Sequence, residues 1–501
     1  MATVLFRRGI GCARARFNPD LRFTAFTVAL SGWISDPDGC AGRTKSVAGD
    51  PRLTRPSSGR PLRVAVVGAG ISGLSAAWLL SQTCDVTLYE AQDRLGGHSD
   101  TFDWDGAPVD CGFIVYNERT YPNLTALFAR LGVATRKSDM SFSVSIDRGR
   151  LEYSGGGPRG LIAQPSNLVR ARYWSMLKDL VRFFRAARRD VGRAGLGTLD
   201  EYLDAGGYGR AFRDDYLYPM AAAIWSTPAL DVGAYPAENF IRFNLNHGLL
   251  ELFEKNRPIW RTVEGGSRAY VARLAQEIRG AAICGRPVRS VRRTADGLVV
   301  TDESGAGARF DRVVMATHAD QSLRLIEQPT RDEKDLLGAF RYVTNEAVLH
   351  TDLAAMPRRR AAWSSWNYMA ERSDEGRRLS VTYWMNRLQG IQDRAPVFVS
   401  LNPIAGIAPS KILRSVSYEH PLFNAQTLAA QQNLWSLQGV GGLWHCGAWF
   451  GYGFHEDGLQ SGLAVAEEIG GVQRPWSTPD MNDRLPADRR RRADAVPALV
   501  A

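Results

Sequence analysis

The first strongly patterned stretch of the chain is Val64–Val67, a fully apolar, mostly β-branched run that suits a buried parallel strand. Gly68-x-Gly70-x-x-Gly73 follows at once, and Leu74, Ala76, Ala77, Leu79 and Leu80 then predict a helix with small residues where it approaches a sheet. A second strand is predicted over Asp85–Tyr89. Two later blocks have different patterns. In 140–235 the spacing is mainly helical, with Leu177, Leu180, Val181 and Phe184 at i, i+3, i+4 and i+7 on one face. In 325–435 the alternation in Ser380–Trp384 and Val397–Leu401 predicts strands, and Trp363, Trp366 and Tyr368 lie nearby. Near the C-terminus a strand leads into a glycine-rich turn, with a small-residue helix expected from Ser461 onward.

The three glycines have separate duties. Gly68 makes the tight turn, Gly70 lets backbone amides reach a pyrophosphate on the helix N-terminus, and Gly73 allows close helix–strand contact. Glu90 ends the second strand 22 residues after Gly68, where an acidic side chain accepts hydrogen bonds from a ribose. The next residues, Arg94-Leu95-Gly96-Gly97, can wrap back over a diphosphate, the guanidinium neutralising it from the far side. A dinucleotide site on a Rossmann-like α/β unit is therefore expected.

With these residues the chain from 62 to 470 resembles the FAD-binding flavoprotein oxidoreductases of the amine oxidase superfamily, which includes phytoene-type desaturases. The resemblance implies a glutathione-reductase-type FAD-binding domain interleaved with a mixed-sheet and helical substrate domain. It implies FAD contacts from Gly68, Gly70, Ile71, Ser72, Gly73, Glu90, Arg94, Gly96 and Gly97, and from Gly112 in Val109–Phe113 beside the flavin. The 262–267 segment, TVEGGS, is similar to the family's Gly-Gly segment. Val288 in 286–291 would meet the adenine through its backbone, and Ala316-Thr317 would end a strand near the cofactor. Leu443–Gly462 looks like the family's closing motif, bringing Gly447, Asp457 and Leu459 to the cofactor and a helix N-terminus to the flavin.

The departures narrow the reading. Family amine oxidases usually place an acidic residue where this chain has Ala448, followed by Trp449. Many also hold a Lys near the flavin, but the candidate strand Tyr342–His350 has none, and Asn345 or a neighbour is expected in that slot. No Cys lies between Cys284 and Cys446, so non-covalent FAD is expected. Trp449, Tyr452 and His455 are the candidates for the reactive face; His455 is the group among them that titrates in a range suited to proton transfer.

The net charge of +10 sits mostly in the ends: residues 1–61 carry +6 and 472–501 carry +2, leaving +2 between them, so nucleic acid is not an expected partner. Six scattered cysteines without a Cys-x-x-Cys pair give no metal-ligand spacing, and a reduced, cytoplasmic-type protein is expected. The segments expected are a disordered or targeting extension (1–61), FAD-binding parts (62–139 and 236–324), the helical subdomain (140–235), the sheet (325–435), the closing motif (436–470) and a solvated tail (471–501). Within 169–189 seven basic residues stand against Asp179 alone; either a solvated face or peripheral contact with an anionic inner membrane surface accounts for them.

The closest resemblance is to a subgroup with Cys-Gly-Ala-Trp and Gly-Tyr-Gly-Phe-His-Glu-Asp-Gly in the closing motif, associated with cyclopropane- and methyl-fatty-acid synthases. It implies FAD-dependent desaturation of a modified acyl chain and a lipid methyltransferase partner. An amine oxidase and a flavin-stabilised accessory protein are the alternatives.

Overall fold

In the computed structural model, the residues described are 59–486 apart from 156, 226–231, 252–256, 374–375, 392 and 405. The expectations for 1–58 and 487–501 lie outside them. The predicted strand–turn–helix–strand forms as β1 (Arg63–Val67), α1 (Ile71–Leu80) and β2 (Asp85–Tyr89). β1 is the middle of a five-stranded, all-parallel sheet. It is completed by β3 (Gly280–Ile283), β4 (Arg312–Met315) and β5 (Leu443–His445) in the order β3-β2-β1-β4-β5. The continuous apolar run of β1 is explained by burial on both faces, with Val64, Ala65 and Val66 all inaccessible.

The closing helix spans His455–Gly470 and so begins six residues before the expected Ser461. Asp457 starts it there, because its Oδ2 accepts the Phe454 amide at 2.7 Å. Gly458 and Gly462, one turn apart, face α1; a Cβ on Gly462 would lie 2.3 Å from the Ser72 carbonyl oxygen. Only glycine lets these two helices approach so closely.

A seven-stranded sheet forms the second layer. Its strands in order are Ile412–Leu422, Arg341–His350, Phe398–Leu401, Gly376–Trp384, Trp366–Ser373, Phe142–Ile146 and Leu151–Ser154. The last two strands belong to the block expected to be helical from 140, so the helical lobe starts later, at Pro158. The lobe also runs past 235, because Phe240 and Ile241 of helix Ala237–Asn246 are buried in its core. Its longest element is α2 (Ala171–Asp190). The buried face of α2 is Tyr173, Met176, Phe183, Phe184 and Ala187, while Leu177, Leu180 and Val181 are half-buried. The apolar face is therefore rotated from the sequence expectation, toward aromatic positions that the four-residue spacing does not include.

Composition predicts that residues 471–486 belong to a solvated tail, but they pack on the core. Arg474 pairs with Glu467 at 2.7 Å and donates to Asn123 at 2.9 Å. The Trp476 ring stacks on Trp78 at 5.8 Å. Arg484, with its side chain 4% exposed, reaches Asp457 at 3.0 Å and lies over the Tyr121 and Tyr452 rings. A stretch rich in Pro and Arg reads as solvated whether or not its cations are paired, and here they are paired. Arg484→Met is expected to cost about 3–5 kcal/mol, because it strands the buried Asp457 and Glu456 carboxylates without a counter-charge. Chemical unfolding of the variant beside the parent checks this. Among the described residues no helix is long and apolar enough to cross a membrane.

Candidate functional site

A cavity of about 950 Å³ opens over the carboxyl ends of the parallel strands, where open α/β sheets bind ligands. Val67 ends β1 at the cavity and Gly68 follows it, Glu90 follows β2, Ala316 and Thr317 follow β4, and Gly447 follows β5. Gly68 needs its φ of +100°, and a Cβ there would sit 2.9 Å from the Ala316 carbonyl oxygen. Gly73 has no room either: its Cβ would lie 1.8 Å from the Gly68 oxygen. Gly70 is different, since a Cβ there meets no protein atom and would project into open space.

Gly70 is also the N-cap of α1 and supplies no capping side chain. Ile71 and Ser72 of that first turn line the cavity, so the positive helix end faces it. The Glu90 carboxylate accepts the Ala69 amide at 2.7 Å and the Gln92 amide at 2.9 Å, and its remaining lone pairs are available to ribose hydroxyls. A β-bulge interrupts the ladder beside Val288, which lines the same cavity. An uncapped helix end, a missing Cβ over open space and a carboxylate at the end of β2 fit FAD.

Gly96, Gly97 and Gly112 line the cavity too. Gly97 adopts φ +55° and touches the Gly70 Cα with the position a Cβ would take, at 3.0 Å. Gly73, Arg94, Asp457 and Leu459 do not line it. The Arg94 guanidinium donates to the Gly97 and Ser99 carbonyls at 2.9 and 3.3 Å and meets the buried Asp100 at 3.3 Å. It braces the Gly96–Gly97 turn from behind. Asp457 caps the closing helix and holds Arg484, and Leu459 is core.

Of the expected reactive-face residues, Trp449 and His455 line the cavity and Tyr452 does not; its ring lies 6.0 Å from Phe243 in the direction of the helical lobe. The Trp449 indole donates to the Thr317 carbonyl at 3.2 Å. The His455 ring stacks on Phe113 at 3.7 Å, and its Nε2 is 3.0 Å from Ser99 Oγ and 2.9 Å from the Tyr270 hydroxyl. Burial pushes His455 down to about 3. It is a neutral ring whose Nε2 is held by two protein hydroxyls, which suits fixing the loop after Gly97 to the closing helix rather than shuttling a proton.

Sequence reasoning missed the other three imidazoles of the cavity. His98, His318 and His420 converge on the wall supplied by the seven-stranded sheet, with ring centroids 6.3 Å (His98–His318) and 5.5 Å (His98–His420) apart. His98 stacks on Tyr418 at 5.0 Å, and His318 on Tyr342 at 4.4 Å. Asn345 is turned off the cavity: its Nδ2 is 2.9 Å from His420 Nδ1 and its Oδ1 accepts from Asn402 at 2.7 Å. Thr344, its neighbour, lines the cavity in its place.

Burial pushes all three histidines down, His420 to about 4. For His98 the positive fields of His420 and His318 add to the burial. The ring nitrogens of His98 have no hydrogen-bond partner among the described residues. Asp100, also missed, anchors this wall by accepting from the Tyr418 hydroxyl at 2.9 Å and pairing with Arg414 at 2.9 Å. No sequence signal joins these groups, because His98 follows the first parallel strands, His318 follows β4, and His420 sits in the other sheet.

The family model for flavin containing amine oxidoreductases matches residues 71–350. Among curated relatives, the coproporphyrinogen III oxidase of Mycobacterium tuberculosis is 26% identical over 284 residues, covering 53% of this chain and 61% of that protein. The chain thus spans about three fifths of the length of these relatives. Among solved structures, a variant of putrescine oxidase matches with a TM-score of 0.59 at 16% identity, covering 81% of this chain and 99% of that one. A CLA-producing fatty acid isomerase from P. acnes matches with a TM-score of 0.59 at 14% identity, covering 81% and 97%. Both likenesses show the fold, a mixed α/β architecture with parallel and antiparallel sheets.

Proposed function

The chain belongs to the flavin containing amine oxidoreductases, an oxidoreductase family, and on that premise we propose that it dehydrogenates an uncharged, lipophilic substrate, an acyl chain, with non-covalent FAD as hydride acceptor. The observation that carries this reading is that, among the described residues, the wall of His98, His318 and His420 presents no unengaged carboxylate to pair with a substrate ammonium. Glu419, the carboxylate on that wall, is turned to His318 Nδ1 at 3.3 Å and Gln321 Nε2 at 3.4 Å.

The lining rings are likewise engaged, Tyr418 with His98 and Asp100 and Tyr342 with His318 and the Ala319 amide, rather than standing as an open cage for an amine. Phe454 adds an apolar surface. It lines the cavity and stacks at 5.2 Å on Phe243, a buried ring of the adjoining core. Cys84, Cys111, Cys284 and Cys446, the cysteines of the described residues, do not line the cavity, which supports a non-covalent cofactor.

Bound FAD supplies the hydride acceptor. The protein's part is to seat the cofactor on the α1 end and on Glu90, to keep water from the substrate carbon with Phe113, Tyr418 and Phe454, and to orient the substrate against the neutral His98 ring, which lines the cavity. His98→Ala is expected to lower turnover about 10²-fold through lost substrate positioning while FAD content per chain is unchanged. Steady-state rates and flavin absorbance of the purified variant check it.

The proposal is tested by incubating the holoprotein with phospholipids bearing monounsaturated or methyl-branched acyl chains and analysing the extracted chains by mass spectrometry. A chain lighter by two hydrogens is the expected result. Unchanged lipids, together with aldehyde release from a panel of amines, would replace this reading with amine oxidation.

A further inference from the structure

Four of the large apolar side chains that the described residues leave exposed fall within 13 residues of one another: Ile162 (47% exposed), Leu168 (44%), Val169 (88%) and Trp174 (53%). They form the tip of the helical lobe, and the tip is built rather than loose. The Tyr173 hydroxyl donates to the Leu161 carbonyl at 2.8 Å, and the Trp174 indole donates to the Leu168 carbonyl at 2.8 Å. Asn167 is buried and donates to the Glu152 carbonyl at 2.9 Å. Ile162, Leu168 and Val169 are thus held outward by polar ties to the body of the protein.

The charge around the tip has one sign. Residues 159–189 carry eight basic side chains and one acidic, Asp179, which is itself buried. On α2, helical spacing places Lys178, Arg185 and Arg189 on the face of Trp174, at four, eleven and fifteen residues beyond it. All three are exposed and form no ion pair among the described residues. An exposed aliphatic tip, an amphipathic Trp and a row of unpaired cations along one helix face match a bilayer whose headgroups are anionic.

We propose that this tip and the exposed face of α2 dock on an anionic lipid surface, Ile162, Leu168, Val169 and Trp174 entering the acyl–headgroup boundary and Lys178, Arg185 and Arg189 meeting the phosphates. The proposal stands apart from the chemistry in the cavity, and its test does not require turnover. It does bring the helical lobe to the phase in which a lipophilic substrate resides.

The test is sedimentation of the full-length flavoprotein with vesicles of phosphatidylcholine containing increasing phosphatidylglycerol. Two surface variants are run beside it, Leu168→Asp/Val169→Asp and Lys178→Glu/Arg185→Glu, with flavin content confirming that both are folded. The parent is expected to partition onto the anionic vesicles and to be released by salt, and each variant to bind at least tenfold more weakly. Failure of the parent to bind at any phosphatidylglycerol content overturns the proposal. Binding that both variants retain overturns it as well, by assigning attachment to another basic segment such as 1–61. A dimer abolished by Leu168→Asp/Val169→Asp, with no vesicle binding, would seat a second copy on the tip instead.

Discussion

Gly73→Val is expected to yield a protein without flavin, and Gly70→Val a folded protein whose FAD affinity falls at least about tenfold. The contrast follows from what each added side chain meets. At Gly73 a Cβ lies 1.8 Å from the Gly68 carbonyl oxygen and 3.1 Å from the Ala316 Cβ. Those atoms belong to the turn after β1 and the end of β4, which cannot yield without separating α1 from the sheet. At Gly70 a Cβ meets no protein atom, and φ is an ordinary −69°. The only conflict at that position is with whatever occupies the cavity over the α1 end. Flavin absorbance per chain and thermal unfolding of the stripped proteins separate the two cases. A Gly70→Val protein that keeps parental FAD affinity would show that the open space belongs to no cofactor.

Acidification is expected to destabilise the fold well above the carboxylate range. His98, His247, His350, His420 and His455 are all held below the ordinary histidine value by burial, His247 and His455 at about 3 and His350 and His420 at about 4. In the unfolded chain these rings titrate near 6.5. Between that value and the native one the unfolded state binds more protons, so stability falls as pH drops through the window from about 6.5 to 4. A buried ring shifted this far forfeits roughly 3 kcal/mol across it. The midpoint of thermal unfolding is expected to drop by more than about 10 °C between pH 7.5 and 5. A midpoint flat over that range would mean that these rings are solvated or have partners for their charged forms.

Much of the cofactor half is legible in the amino-acid sequence, because its signals are local. The β-branched run of β1, the three glycines and Glu90 lie within 27 consecutive residues, and each does in space what its type allows in sequence. The helix over 169–189 and the strands at 380–384 and 397–401 are likewise evident from their periods. The wall opposite the glycine turn is not legible, since His98, His318 and His420 come from three separate segments and no spacing rule links them. Arg94 shows the same limit: its position after β2 suggests a phosphate contact, but Asp100 and two carbonyls take its guanidinium. Tyr452 stands three residues from His455 yet faces the lobe, because the turn at Gly451–Gly453 redirects the chain before the helix begins.

The central claim is that FAD in this cavity accepts hydride from an uncharged lipophilic carbon. It is tested most directly by following the flavin absorption band of the purified holoprotein under anaerobic conditions. Acyl phospholipids are added in one cell and primary amines and polyamines in another. The account predicts bleaching by the lipid and none by the amines. Bleaching by an amine, with the band unmoved by lipid, would contradict it.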